Sequence, residues 1–148
     1  MNHTPVLKDV VLLGGGHSHI GVLKSFGMQN VGGARLTLIS REIETPYSGM
    51  LPGIIAGHYK ANEGHVDLIP LTEFAGARFI HDEVIGIDTK NQKVLLSKRP
   101  PISYDLLSIN IGSTPCQPKL IDSKSNVIPV KPISQFLNRW EEICERIR

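Results

Sequence analysis

The sequence is poor in the residues that build several common kinds of site. It has two cysteines, Cys116 and Cys144, among 148 residues. Two thiols give neither a disulfide framework nor a four-thiolate zinc site, and without a CxxC or CxxxxC spacing there is no redox-active dithiol on the chain. Aromatic residues are 5% of the total, too few for a surface that stacks single-stranded nucleic acid. Excess charge of one sign is lacking as well. Sixteen basic residues against 14 acidic ones leave a net charge of +2, which argues against a polyanion-binding protein and so against a nucleic-acid partner. No apolar run approaches the ~18 residues that span a bilayer. The polar stretch 1–9 has no basic region leading into an apolar one, so no signal peptide is visible. The expected setting is a reducing compartment such as the cytoplasm, with membrane association of a larger parent protein left open.

What is present is the balance of a folded domain. Hydrophobic residues make up 41% and charged residues 20%, and a single domain of this length buries about two thirds of its unfolded surface. The run Val10-Val11-Leu12-Leu13 is continuous and β-branched, and Gly14-Gly15-Gly16 stops it. Such a run predicts a strand buried on both faces, as in a parallel sheet. Ile20, Leu23 and Phe26 then recur at helical spacing, and Leu36 to Ile39 predicts a second buried strand. Strand, glycine turn, helix and strand in about thirty residues make a βαβ unit. The predicted class is therefore α/β: a Rossmann-like βαβ parallel sheet with helices on both sides.

Residues 41–53 carry Thr45-Pro46, Ser48-Gly49 and Pro52-Gly53, which is loop chemistry. Helices are predicted from Leu51 to Tyr59 and from Val66 to Ala75, the second started or kinked by Pro70. Short strand-like runs follow at Phe79-Ile80, Val84 to Ile87 and Val94 to Leu96, with a hairpin turn at Asp88 to Gln92, a small antiparallel β-meander. Tyr104 to Ile111 predicts another buried strand, closed by Gly112-Ser113, and a Pro-containing loop runs from Thr114 to Asn126. Pro132 suits the start of a helix. Ile133, Phe136, Leu137, Trp140, Ile143, Cys144 and Ile147 then keep helical spacing over four turns, and no capping glycine follows.

The glycine turn carries the chemistry. Gly14-Gly15-Gly16-His17-Ser18-His19 nearly fits G-x-G-x-x-G. Gly14 would allow the tight turn and Gly16 the close approach of a pyrophosphate, while the helix behind it offers free N–H groups and a positive dipole end. Its place after a buried strand and before a helix favours nucleotide binding over a plain turn. The third glycine is replaced by His19, and two readings stand. Either His17 and His19 touch a bound phosphate-bearing ligand, or His19 fills the space between helix and strand. An acidic residue that would hold a ribose is missing: the position at the end of the second strand is Ser40, which offers one hydroxyl. Arg41 stands beside the adenine or a phosphate, or is a solvated loop arginine. His58, His65 and His81 lack ligand spacing with Cys or acidic residues, so no metal is expected. Asp82 and Glu83 are adjacent and point opposite ways on a strand, so they form no acid–base pair. No catalytic base is assigned.

Four segments in order, GGGHSH, TLISREIETPYSGMLPG, HDEVIGID and YDLLSINIGSTP, resemble the FAD-binding half of the two-dinucleotide-domain flavoprotein oxidoreductases, near the type II NADH dehydrogenases. The wording of GGGHSH and PYSGMLPG is most similar to the branch that stands alone or is fused to selenide, water dikinase. The resemblance covers Val10 to Pro115. It implies FAD as cofactor and NAD(P)H as co-substrate of a longer parent, with hydride passing to FAD and on to an unidentified acceptor. Gly14, Gly15 and Gly16 would cradle the pyrophosphate, with His17, Ser18 and His19 at the helix end. Ser40 and Arg41 would face the adenosine. Tyr47, Ser48, Met50 and Pro52 would line the ribityl chain and the flavin edge. Val84 would meet the adenine through its backbone. Ile111, Gly112 and Ser113 would return the chain to the cofactor, although Asn110-Ile111-Gly112 replaces the usual Ala-Thr-Gly.

The expected layout is an FAD-binding portion at 1–115, a hinge at 116–131 and an amphipathic helix at 132–148, an incomplete FAD/NAD(P)-binding fold. The parent's NAD(P)H domain would follow. Two other classes stay open: a non-catalytic adenine-dinucleotide-binding module, and an inactive fragment forming a homodimer through its last helix.

Overall fold

The computed structural model describes residues 8–29, 31–113 and 129–147, together with Pro5 and Cys116. Most of the expected hinge, 117–128, and Thr114 and Pro115 lie outside the described residues. In chain order the elements are β1 (Lys8–Leu13), α1 (His17–Met28), β2 (Ala34–Ser40), β3 (Glu44–Pro46), α2 (Leu51–Ile55), β4 (His65–Asp67), α3 (Leu68–Phe74), β5 (Arg78–His81), β6 (Val84–Asp88), β7 (Lys93–Leu96), β8 (Ile102–Ser103), β9 (Leu106–Ile109) and α4 (Ile133–Ile147). The chain divides into two units, 1–45 with 67–111, and 46–66 with 112–148.

In the first unit β5, β2, β1 and β9 form a four-stranded sheet in that spatial order, and each pairing is parallel. The continuous apolar runs read from the sequence follow from this geometry, since the central strands are covered on both faces. Alternation sends Leu12, Leu36 and Leu38 to one face. There they pack with Leu23 and Phe26 of α1 and with Leu68 and Leu71 of α3. Val11, Leu13 and Ile39 go to the other face, where they meet Val94 and Leu96 of β7, with Val84, Ile102 and Tyr104 around them.

The α/β fold with its parallel sheet and antiparallel meander agrees with the sequence, but in this unit helices cover one face only. The meander β6-β7-β8 covers the second. A run buried on both faces has the same composition under either cover. The second difference is β9, expected as a buried strand over Tyr104 to Ile111. It is four residues long and lies at the edge of the sheet, with Leu106 and Ile109 each 56% exposed. Among the described residues it pairs with β1 alone.

Local signals set the element ends. Asp67 caps α3, its carboxylate accepting from the Ile69 amide at 2.9 Å. Pro70 falls in the first turn, where no intrahelical N–H bond is lost. The helix stops at Gly76, φ +61°, with the Gly76 and Ala77 amides bonded back to the Glu73 and Thr72 carbonyls at 3.0 and 2.9 Å, the Schellman pattern. The hairpin between β6 and β7 is held by Asp88, whose carboxylate accepts from the amides of Lys90 and Asn91 and from Asn91 Nδ2 at 3.1, 3.0 and 2.7 Å. The Asn91 side chain and amide hold the Asp88 carboxyl below the usual carboxylate range.

In the second unit α2 is shorter than the helix expected over Leu51 to Tyr59. Gly57, φ +77°, ends it, and the His58 and Gly57 amides return to the Gly53 and Ile54 carbonyls at 2.8 and 3.0 Å, a second Schellman stop. The long helix α4 follows the expected apolar spacing. Leu137 on it is buried, and the Phe136 and Trp140 rings stack with centroids 6.4 Å apart. β3 and β4 form a separate two-stranded ribbon: β3 lies in the stretch 41–53 expected as loop, and β4 takes the first residues of the helix expected from Val66, which begins at Leu68 instead.

Candidate functional site

The topology itself picks out one place. From β1 the chain goes to β2 and β5 on one side and comes back at β9 on the other. The gap between β1 and β9, at the carboxyl ends of the strands, is the switch point where open α/β sheets bind ligands. The glycine turn sits there. The Gly14 amide donates to the Ile39 carbonyl at 2.8 Å, which ties the turn to β2, and the Gly16 amide donates to the Asn110 carbonyl at 3.1 Å, which ties it to the residue after β9.

Glycine is required at this turn for stated reasons. Gly14 has φ +87°, and a β-carbon on it would collide with the Asn110 carbonyl. A β-carbon on Gly16 would collide with the Asn110 side chain, and one on Gly15 would stand 2.5 Å from Leu68 Cδ1. The turn is therefore packed from below by Leu68 of α3 and from the side by Asn110. Gly16 is the N-cap of α1 and brings no side chain to cap it, and no acidic residue lies in the first helical turn. The His19 and Ile20 amides turn back on the Gly16 carbonyl at 3.0 and 3.2 Å. His17 and Ser18 are exposed at the helix end, which carries partial positive charge.

His19 goes elsewhere. Its ring is 1% exposed, with Nδ1 2.7 Å from the Gly14 carbonyl oxygen and Nε2 2.9 Å from Ser108 Oγ. Of the two readings of position 19, the side chain follows the second: both ring nitrogens are engaged in the interior, and the ring fills the gap between helix and strand.

Ser40 ends β2 beside the turn and is buried. Its Oγ accepts from the Glu42 amide at 3.2 Å, and its carbonyl accepts from the Asp82 amide at 3.1 Å. Asp82 has a buried carboxylate that accepts from the Glu83 and Lys98 amides at 2.7 and 3.2 Å, with Arg99 Nε at 4.0 Å. Arg41 is exposed and pairs with Glu42 at 3.2 Å. Its carbonyl is 2.8 Å from His81 Nε2, so the ring N–H of His81 holds the loop after β2. Val84 opens β6, an edge strand of the meander, and a register shift follows it before Gly86. Ile111, two residues past β9, is 76% exposed.

The first unit thus brings together Gly14 to His19 with the ends of β2 and β9. The remaining positions belong to the second unit. Its Tyr47 amide donates to the Gly64 carbonyl at 2.8 Å, and the Met50 amide donates to the Tyr47 carbonyl at 3.0 Å. Ser48 and Met50 lie in one 3₁₀ turn, and Pro52 opens α2. Gly112 has φ +78°, and Ser113 Oγ accepts from Lys131 Nζ at 3.1 Å.

Sequence reasoning missed Ser108, Asn110 and Leu68. A serine inside the otherwise apolar run Leu106 to Ile109 was the available signal, because a polar residue there needs a partner. Among the described residues no group of three or more His, Cys, Asp or Glu is placed to hold a metal ion, and no helix is long and apolar enough to cross a membrane.

No family model matches the sequence, and no curated protein does. Solved structures do match. A sulfide:quinone oxidoreductase from the hyperthermophilic bacterium Aquifex aeolicus is 24% identical with a TM-score of 0.73, the match covering 93% of this chain and 32% of that one. The water-forming NADH oxidase of Lactobacillus brevis, bound to NADH, is 21% identical with a TM-score of 0.65, over 80% of this chain and 28% of that one. NDH2 from Plasmodium falciparum, in complex with NADH, is 15% identical with a TM-score of 0.57, over 85% and 25%. The chain spans at most about a third of the length of these three structures. These likenesses show the fold: the chain has the Rossmann-like α/β architecture found in a portion of each of these three structures.

Proposed function

We propose that this chain is the FAD-binding portion of an NAD(P)H-dependent flavin oxidoreductase. The observation that carries the reading is the glycine turn at the switch point, with the Gly14 carbonyl engaged by the buried His19 ring and an uncapped helix end free of acidic residues beside it. A diphosphate would lie there. The turn's own residues bring no side chain, Asn110 and Leu68 stand beside Gly16 and Gly15, and the start of α1 would offer a favourable dipole. Gly14, Gly15 and Gly16 would hold the pyrophosphate, with Ser18 at the helix end. Ser40 and Arg41 would serve the adenosine side, with the backbone of Val84 facing the adenine. Tyr47, Ser48, Met50 and Pro52 would line the flavin side, and Ile111, Gly112 and Ser113 the return of the chain. Bound FAD would supply hydride and electron transfer. The residues described here would bind and orient it.

Two further assignments rest on the resemblance. One is an NAD(P)H domain in a longer parent. The other is the branch linked to selenide, water dikinase, from the wording GGGHSH and PYSGMLPG. A contact between two copies through α4 is proposed on the Phe136–Trp140 pair; sedimentation of a form with both residues changed to Ser tests it, and an unchanged mass removes it.

The experiment for the main reading is titration of the purified chain with FAD, followed by quenching of flavin fluorescence. NAD and S-adenosylmethionine serve as comparison ligands. Saturable quenching is expected; heat of binding with S-adenosylmethionine and none with FAD would overturn the reading.

A further inference from the structure

His19 occupies the place of the third glycine in G-x-G-x-x-G, where the usual requirement is close approach of helix and strand. A polar ring buried to this extent needs a partner for each nitrogen, and it has both, at 2.7 Å to the Gly14 carbonyl and 2.9 Å to Ser108 Oγ. A carbonyl oxygen only accepts, so Nδ1 carries the hydrogen. In that tautomer Nε2 accepts from the Ser108 hydroxyl.

We infer that His19 is a positioning residue for the glycine turn: as the Nδ1–H tautomer it holds the Gly14 carbonyl inward, and Ser108 on β9, donating to Nε2, anchors the other side of the ring. The inference rests on the diphosphate reading of the turn and says how the turn is kept ready. Glycine has access to both signs of φ, so the peptide after Gly14 has little intrinsic reason to keep its oxygen away from a ligand. An oxygen that swings outward puts negative partial charge where a diphosphate must lie. The imidazole removes that freedom by giving the oxygen a donor in the interior. Strand β9 and the residue after it each contribute. Ser108 meets the ring, while the Asn110 carbonyl accepts from the Gly16 amide at 3.1 Å. Both flanking glycines of the turn are thereby tied, directly or through His19, to the edge strand.

Three substitutions separate positioning from packing. His19→Asn keeps a donor near the Nδ1 position and gives up Ser108. His19→Gln reaches toward Ser108 and gives up the donor to Gly14. Ser108→Ala leaves the ring in place without its second partner. FAD affinity by fluorescence quenching is expected within about threefold of the unaltered chain for His19→Asn, and weaker by about tenfold or more for His19→Gln, the effect of one missing hydrogen bond at the turn. Ser108→Ala is expected between the two. Equal weakening by Asn and Gln, tracking their melting midpoints, overturns the inference. A second arm needs no ligand. Histidine ¹⁵N spectra of the chain are expected to show the Nδ1–H tautomer for the signal that His19→Asn deletes. Finding Nε2–H there overturns the inference even if FAD binds. Should the unaltered chain leave FAD fluorescence unchanged, the diphosphate reading fails, and the spectra alone judge the hold on the turn.

Discussion

The two ends of the parallel sheet are built from opposite materials. At the amino end, where β1, β2 and β9 begin, charges face each other. Arg35 grips the Asp9 carboxylate through two nitrogens at 2.5 and 2.8 Å. Asp105 accepts from the Asp9 amide at 2.7 Å and from Lys8 Nζ at 3.2 Å. Beside them Arg78 donates to Thr37 Oγ1 at 2.9 Å. At the carboxyl end of the same strands stand three glycines, a buried imidazole and two hydroxyls, at Ser40 and Ser108. The first end satisfies its polar groups with full charges held half in water, which contribute little each. The second satisfies its polar groups with main chain, an imidazole and hydroxyls. A sheet has to close its amino end, whereas its carboxyl end is where bare main chain can be offered to a ligand.

The largest test of that contrast cuts the strands in the middle. Leu38 is fully buried, and Leu38→Ala is expected to lower stability by about 2–5 kcal/mol in urea unfolding and to weaken FAD binding as well, since both ends share that core. Next is Gly14→Ala, confined to the carboxyl end. It forces a side chain onto a backbone at φ +87° and into the Asn110 carbonyl. A loss of about 1–3 kcal/mol is expected, with FAD affinity reduced by more than the loss of stability explains. Unchanged affinity would mean that the turn does not bind the cofactor.

A smaller effect is expected at the amino end, from pH. The Arg35 guanidinium bonded to Asp9 holds that carboxyl below the usual range, and the Asp9 amide, then Lys8, does the same for Asp105. A carboxyl whose folded pKa is lowered binds fewer protons folded than unfolded. Its stabilisation is therefore complete above about pH 4, the unfolded value, and fades as pH falls through the lowered folded values. Melting midpoints of the unaltered chain and Asp9→Asn should differ at about pH 6 and converge toward about pH 3. Added salt should narrow the same gap. FAD affinity at neutral pH should be the same in both forms, and a drop in Asp9→Asn would dissolve the contrast between the ends. The smallest effect is expected from Asp88→Ala in the hairpin, far from either end in function: a lower melting midpoint without loss of FAD affinity.

Much of this was legible because the signals are local. VVLL before three glycines, a helical pattern after them and a second apolar run define β1, α1 and β2 almost residue by residue. Asp88 with Asn91 makes its own turn. Where the sequence fell short, the missing information was about neighbours. The run at 106–109 is apolar enough for an interior strand, yet nothing in its composition tells how many strands flank it. Val11 and Leu13 require cover on their face, and strands of the meander supply it as well as helices would. Two readings of His19 could not be told apart until its distance to Ser108, far along the chain, was known. Ser40 and Arg41 fall at the end of β2 as expected, but their engagement by Glu42, Asp82 and His81 depends on β5 and the loop after β7.

The methyl group of Leu68 that lies against Gly15 has a consequence for reading such turns. The space that a side chain at position 15 would enter is taken by a helix far downstream, so the two positions share one gap. A bulkier residue at 15 asks Leu68 to give way. Part of the spelling of the turn is written at position 68, out of sight of any search that looks for glycines alone.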